Sequence, residues 1–260
     1  MLISLVSDRP LFLPSAARLI VSSVNSLLHF VPLLIVSPFS RPAAWAIYMH
    51  WGRMACRIFG ITVTLRDDNN GDLGPTPHLY VWLNQSSLAE ILTLQVLPPV
   101  YKIANVEYAV MPLVGWTCVL LRDVVIVRQW KEQAKRGIER AAARLARGQT
   151  WAISIEGARS PDGRLLPYKK GPVVMAINAQ ATIIPMAISG GREVMPRGEW
   201  RIRPGDIELR LLNSIPTRGR TYDDRNVVQE HLRQLAERAL RQDDAQGGNL
   251  ARTARPRAEA

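Results

Sequence analysis

From Leu19 to Ser40 the chain reads LIVSSVNSLLHFVPLLIVSPFS, and no charged side chain interrupts it. Arginines stand on both sides, at Arg9, Arg18 and Arg41. A run of about 20 largely apolar residues is long enough to cross a hydrocarbon core, but the serines, Asn25, His29 and two prolines weaken its insertion. The pattern therefore predicts a membrane-dipping or interfacial helical hairpin rather than a clean span. A pair of helices buried in a soluble core is the alternative. A signal peptide fits poorly, because the charge comes late, no small-residue cleavage pattern follows, and arginines continue at Arg53 and Arg57.

Beyond residues 45–59, which read as a helix, short apolar runs alternate with longer segments. Strands are predicted at 61–65, 78–83, 101–104, 124–127, 151–155, 183–188 and 207–212, each bounded by Gly, Pro, Asp or Asn. Residues 131–147 put Ala134, Ile138, Ala141, Ala142 and Leu145 on one helical face, with Gly148 as a stop. Val228, Leu232, Leu235 and Ala239 mark a late amphipathic helix, after which DDAQGGNLARTARPRAEA has little to bury and is expected to be disordered. Alternation of this kind predicts an α/β fold with a mixed, largely parallel central sheet flanked by helices. The expected organisation is a membrane-associating helical segment at 1–59, an α/β domain at 60–241 and a tail at 242–260.

Composition refines this picture only in part. With 260 residues, 47% hydrophobic and 21% charged, one sizeable core is expected. Cys56 and Cys118 have no metal-ligand spacing and cannot build a disulfide framework, which indicates a reducing compartment. The excess of 33 Lys+Arg over 22 Asp+Glu, a net +11, attracts anions: nucleic acid, a phosphate-bearing substrate or an acidic membrane face. No nucleic-acid motif and no basic stripe interleaved with aromatics is present, so a nucleic-acid partner is not expected.

Four blocks stand out at predicted strands: NQSSLAE where the strand at 78–83 ends, VVIVRQ, a strand ending on Arg128, ISIEGARS, a strand breaking into Glu156 and Gly157 with Arg159 behind, and IIPMAIS, a strand carrying Pro185. Together, in this order and with MPLVGW and LLPYKKG between them, they resemble the glycerolipid acyltransferases of the 1-acylglycerol-3-phosphate type. That family's blocks read roughly N-H-Q-S-x-x-D, an apolar run ending in Arg, F-P-E-G-T-R-S and V-P-V. The resemblance implies transfer of a fatty acyl group from a thioester of coenzyme A or acyl carrier protein to a lysophosphatidate-like hydroxyl. The partners it implies are membrane lipid and a lysophospholipid acceptor. Neither metal nor redox cofactor is implied, and the cytoplasmic face of a membrane is the expected location.

Laid over these blocks, the chain departs at one position that carries chemistry. The family's general-base histidine falls on Gln85 and its orienting aspartate on Glu90, so His-x4-Asp becomes Gln-x4-Glu. A carboxamide has no proton equilibrium near neutrality, whereas a glutamate keeps the carboxylate. Ser87-x-x-Glu90 is also a capping box, in which Glu90 reaches back to Ser87. His78 lies about 23 Å along the strand from Gln85, at ~3.3 Å per residue, too far to replace the missing base. The resemblance assigns Arg128 and Arg159 to an acceptor phosphate, for which guanidinium forks are suited, and Glu156 to the acceptor site, with Gly157 permitting the turn. Ala158 replaces the family's threonine. Two further readings stay open: a catalytically impaired homologue that binds lipid or a partner, and an acyltransferase for another lyso-lipid such as a lyso-aminolipid.

Overall fold

The computed structural model describes residues 2–5, 15–85, 87, 89–110, 115–127, 129–195, 198–199 and 201–253. Strands β1 (Leu2–Leu5), β2 (Ile61–Asp67), β3 (His78–Trp82), β4 (Tyr101–Asn105), β5 (Val124–Ile126), β6 (Trp151–Ser154), β7 (Thr182–Ser189), β8 (Gly205–Leu211) and β9 (Ile215–Pro216) form one sheet. Its order is β1-β2-β8-β7-β3-β6-β4-β5, with β9 on β7. Parallel ladders join β2 to β8, β7 to β3, β3 to β6, β6 to β4 and β4 to β5; β1–β2, β7–β8 and β7–β9 are antiparallel. All seven predicted strands are present, and the sheet is mixed and mostly parallel as expected.

Helices cover both faces. They are α1 (Ser15–Val36), α2 (Arg41–Phe59), α3 (Val106–Ala109), α4 (Trp116–Leu120), α5 (Lys131–Leu145), α6 (Gly171–Ala179), α7 (Gly191–Val194) and α8 (Arg225–Thr253). The strand alternation sorts the core into two layers. Leu79, Val81 and Leu83 of the β3 segment pack with the interior of α5, α6 and α8, whereas Tyr80 and Trp82 pack with Trp45, Tyr48 and Phe59 of α2 and Leu92 and Leu94 of the 3-10 helix Ala89–Val96. Central strand β7 has Thr182 through Ile188 buried, as a strand covered on both sides must.

Three features depart from the sequence pattern. Strands β1 and β9 are not among the predicted ones, and each is added antiparallel to another strand. Helix α2 begins at Arg41 rather than 45, because Ser40 Oγ accepts the Ala43 N–H at 3.3 Å; it ends where Gly60 adopts φ 70°. Helix α8 continues past Arg241 into the expected tail. There Gln242 accepts from Arg210 at 2.8 Å and Asp243 accepts from Ser189 Oγ at 2.6 Å, so these residues dock on strand ends instead of trailing free.

Candidate active site

The residues of the first and third blocks follow parallel strands at their carboxyl ends, where open α/β sheets place ligand crevices. Gln85 and Glu90 follow β3, Glu156, Gly157 and Arg159 follow β6, and Asn105 closes β4; β3, β6 and β4 are neighbours in the sheet. A cavity of about 120 Å³ opens there. Gln85, Ser87, Glu90, Asn105, Ser154 and Arg159 line it, with Trp82, Ile91, Leu94 and Cys118 supplying apolar wall. Arg128 lies outside the described residues.

The loop after β3 is held by other loops rather than by its own turn. Asn84 Nδ2 donates to the Ile188 carbonyl at 2.8 Å and Asn84 Oδ1 accepts the Ile188 N–H at 3.0 Å, which continues the β7 ladder with a side chain. Gln85 is pinned at both main-chain atoms: its N–H donates to Glu156 Oε2 at 2.9 Å and its carbonyl accepts the Ser160 N–H at 2.6 Å. Glu90, only 2% exposed, accepts the Ser87 N–H on Oε1 at 3.1 Å, the backward half of the expected capping box. It also lies flat against the backbone at Gly191, where an added Cβ would come within 2.5 Å of Glu90 Oε1. The helix so begun is a 3-10 helix.

Glu156 sits beneath the cavity rather than in its lining. Its two carboxylate oxygens accept backbone N–H groups from two loops, Gln85 on Oε2 and Leu166 on Oε1 at 2.6 Å, and the residue is 2% exposed. The expected acceptor-site glutamate is thus engaged in joining the Gln85 loop to the 157–166 loop. Burial pushes its carboxyl from 4.5 up to about 7, against the downward pull of the Leu166 and Gln85 N–H bonds. Because the folded value lies above the unfolded one, this group contributes stability that is fully present below about 4.5 and is lost as pH rises through about 7. Glu156→Gln mimics the protonated form. Denaturant unfolding at pH 5 and pH 8 should show the variant gaining stability relative to wild type at the higher pH; a difference independent of pH would remove the buried ionisation. Gly157 turns at φ 71°, in the region glycine alone enters readily.

Lys102 and Asp123 form the charged floor. The Lys102 amine is 2.8 Å from Asp123 Oδ2, the Lys102 N–H donates to Asp123 Oδ1 at 2.9 Å, and the amine lies 4.9 Å from the centre of the Tyr48 ring. Desolvation pushes the Asp123 carboxyl upward, partly offset by the Lys102 cation. Periodicity gives no sign of this pair, since Lys102 sits in a strand and Asp123 21 residues later in a loop.

None of the four histidines lines the cavity among its described residues. His29 Nε2 pairs with His50 Nδ1 at 2.7 Å between α1 and α2, His78 bonds the Gly74 carbonyl, and His231 is exposed on α8. Lys169 and Lys170 are exposed. Among the described residues there is no cluster of metal-ligating side chains.

With this geometry the relatives can be placed. The acyltransferase family profile matches residues 82–189, from the last residue of β3 to the last of β7. Those residues are an acyltransferase-family domain. They contain the loop with Gln85 and Glu90 and the Glu156–Arg159 turn. A 1-acyl-sn-glycerol-3-phosphate acyltransferase of Cocos nucifera is 30% identical over 189 residues, 71% of this chain and 60% of that protein. The alpha form from Homo sapiens is 28% identical over 197 residues, 74% of this chain and 69% of that one. The chain thus spans about three fifths to two thirds of the length of such relatives. Among solved structures, the 1-acyl-sn-glycerophosphate acyltransferase PlsC from Thermotoga maritima superposes with a TM-score of 0.65 at 22% identity, covering 85% of this chain and 97% of that one. At that identity the likeness is one of fold.

Proposed function

We propose that the acyltransferase domain transfers a fatty acyl group from a coenzyme A or acyl carrier protein thioester to the hydroxyl of a lysophosphatidate-like acceptor at a membrane surface. The observation that carries this is the cavity at the carboxyl ends of β3, β6 and β4. It sets Gln85 and Glu90 on one lining with a phosphate-suited guanidinium, Arg159. In the reaction the acceptor oxygen adds to the thioester carbonyl, its proton passes to a base, and the C–S bond breaks to release a thiolate that takes up a proton. A space of about 120 Å³ admits the reacting end of a lysolipid and not its tail, so the acyl chains must leave along an apolar surface.

Helix α1 offers that surface. It is long and apolar enough to cross a membrane, with only 11% of its most apolar window buried. Three of its polar side chains turn toward α2: Trp51 Nε1 donates to Ser26 Oγ at 3.1 Å, Asn25 Nδ2 reaches the Trp51 carbonyl at 3.4 Å, and His29 meets His50, while the exposed Ser23 donates to its own helix at the Leu19 carbonyl. Its outer face carries Ile20, Val24, Leu27, Leu28, Val31, Leu34 and Ile35, with Phe39 88% exposed just beyond. A helix with polar residues inside and apolar residues outside suits lipid and not water. Trp116 and Val119 of α4 continue the face, through a Phe30–Trp116 ring contact at 5.6 Å. Deleting residues 1–41 should therefore move most of the protein from the membrane pellet to the soluble fraction, and a truncated protein that pellets as before, at high salt as well as low, removes the anchor.

A second reading is favoured by Gln85 itself: with no histidine against the cavity, the domain binds lipid with little turnover. An assay of the isolated protein with lysophosphatidate and a labelled acyl thioester decides between the two. Arg128→Ala and Arg159→Ala sharpen it. Loss of a charge-assisted hydrogen bond of roughly 1.5–3 kcal/mol should weaken a lysophosphatidate by about 10- to 100-fold and leave a phosphate-free acceptor such as a lyso-aminolipid unchanged. Equal losses for both acceptors would remove the phosphate clamp.

A further inference from the structure

Helix α7 touches both halves of the candidate site, although it begins beyond residue 189, where the match to the acyltransferase profile ends. Its first residue, Gly191, backs Glu90. Its second, Arg192, donates through Nη1 to the Asp162 carbonyl, in the loop that carries Arg159. The same Nη1 lies over Gly163, 3.1 Å from where a Cβ would stand. Glu90 and Arg159 both line the cavity, whereas Arg192 is outside its described lining and belongs to none of the four blocks.

A brace works only if it is itself fixed, and α7 is. Gly190 turns the chain at φ 79° and lies so close to the Asp206 carbonyl that no side chain fits there. Val194 is fully buried, and its carbonyl accepts the Arg203 N–H at 2.8 Å. The turn that Arg192 holds is equally well defined. Ser160 Oγ donates to Asp162 Oδ1 at 3.1 Å and accepts the Gly163 N–H at 2.9 Å, and Asp162 Oδ1 accepts the Arg164 N–H at 3.0 Å. Residues 160–164 are thus cross-bonded into one piece. At one end the Ser160 N–H ties it to the Gln85 carbonyl at 2.6 Å, and at the other Arg192 ties it to α7. Without the second tie the piece can pivot about Ser160, and Arg159 is the next residue along the chain.

Resting on the acyltransferase reading, we propose that Arg192 is a positioning residue for the acceptor phosphate, holding the 160–164 turn so that Arg159 is presented to the cavity. Helix α7 in this way sets the guanidinium and the Glu90 carboxylate in a fixed relation to each other. Arg192 touches no substrate and acts through Arg159.

Hydrogen exchange on the full-length protein in detergent micelles reads the brace without any substrate. Arg192→Met should speed exchange at the Gly163 and Arg164 amides by about 3- to 10-fold, as the loss of one hydrogen bond predicts, and leave β3, β6 and β7 as they were. Arg192→Lys, which keeps a cationic donor, should recover part of the protection. In the same micelles Arg192→Met should weaken lysophosphatidate binding by about 3- to 10-fold and leave a phosphate-free lyso-aminolipid unchanged. Added to Arg159→Ala, it should cost nothing further, because the residue it positions is gone. Unchanged exchange in the turn overturns the proposal, and faster exchange throughout the sheet shows a general structural role and overturns it too. Equal weakening of both lipids, or a loss that adds to that of Arg159→Ala, overturns the action through Arg159. Wild type that binds no lysophosphatidate overturns the acyltransferase reading beneath it, while the exchange result still decides whether Arg192 holds the turn.

Discussion

Gln85→His, combined with Glu90→Asp, should raise the rate of acyl transfer to lysophosphatidate by a measurable part of the roughly 10²–10⁴-fold that a positioned general base contributes. The scaffold for the gain is already built. Gln85 is fixed through its N–H to Glu156 and its carbonyl to Ser160, so a histidine there inherits a held main chain. Glu90 stands on the same cavity with its carboxylate anchored by the Ser87 N–H and backed by Gly191, and Asp keeps that charge while leaving room for an imidazole. The variant's rate should also acquire a pH midpoint near a histidine value, ~6.5 before any shift from the neighbouring carboxylate. Ordinary turnover in wild type with no gain from histidine would mean that Glu90 or the acceptor phosphate takes the proton. Lipid binding with no turnover in either form would establish the binding-only reading.

Breaking the ion pair beneath the cavity should have the largest effect on stability. Lys102→Met leaves the fully buried Asp123 carboxylate without its cation, and Asp123→Asn leaves the Lys102 ammonium among Trp45 and Tyr48 without its anion. Each single change should lower the unfolding free energy by about 3–5 kcal/mol, because a buried charge left alone has neither water nor partner. Lys102→Met with Asp123→Leu should recover much of that loss, since the desolvation penalty goes with both charges. Chemical denaturation of the three variants measures this. Additive losses in the double variant would mean that the two side chains act on stability separately.

Much of this protein is legible without coordinates. The seven predicted strands appear as apolar or alternating runs between turn residues: β7, buried on both faces, is apolar over nearly its whole length, while β8 buries alternate residues. The blocks after β3 and β6 are legible because their chemistry lies within a few residues: Gln85 to Glu90, and Glu156 to Arg159. The capping contact from Glu90 to Ser87 is local in the same sense, and the left-handed turn at Gly157 needs that residue type.

Interactions between distant parts of the chain were not legible. Glu156 has the composition of a site residue, and its identity as a clamp appears only when folding brings the main chains of Gln85 and Leu166 to its two oxygens. Asn105 looks like any strand-ending asparagine until the β4–β5 ladder sets it opposite Ile126 and buries it. The closeness of Gly191 to Glu90 crosses 101 positions, and that of Lys102 to Asp123 crosses 21. The sequence by itself determined the α/β class and the apolar run near the N-terminus, since each is written in residue type and local spacing, whereas the single unbroken helix α1 in place of the expected hairpin came from the structure. Only the tertiary structure decided which carboxylate lines the cavity and which is locked under it, because hydrogen-bond partners and burial are set by the packing of elements far apart in the chain.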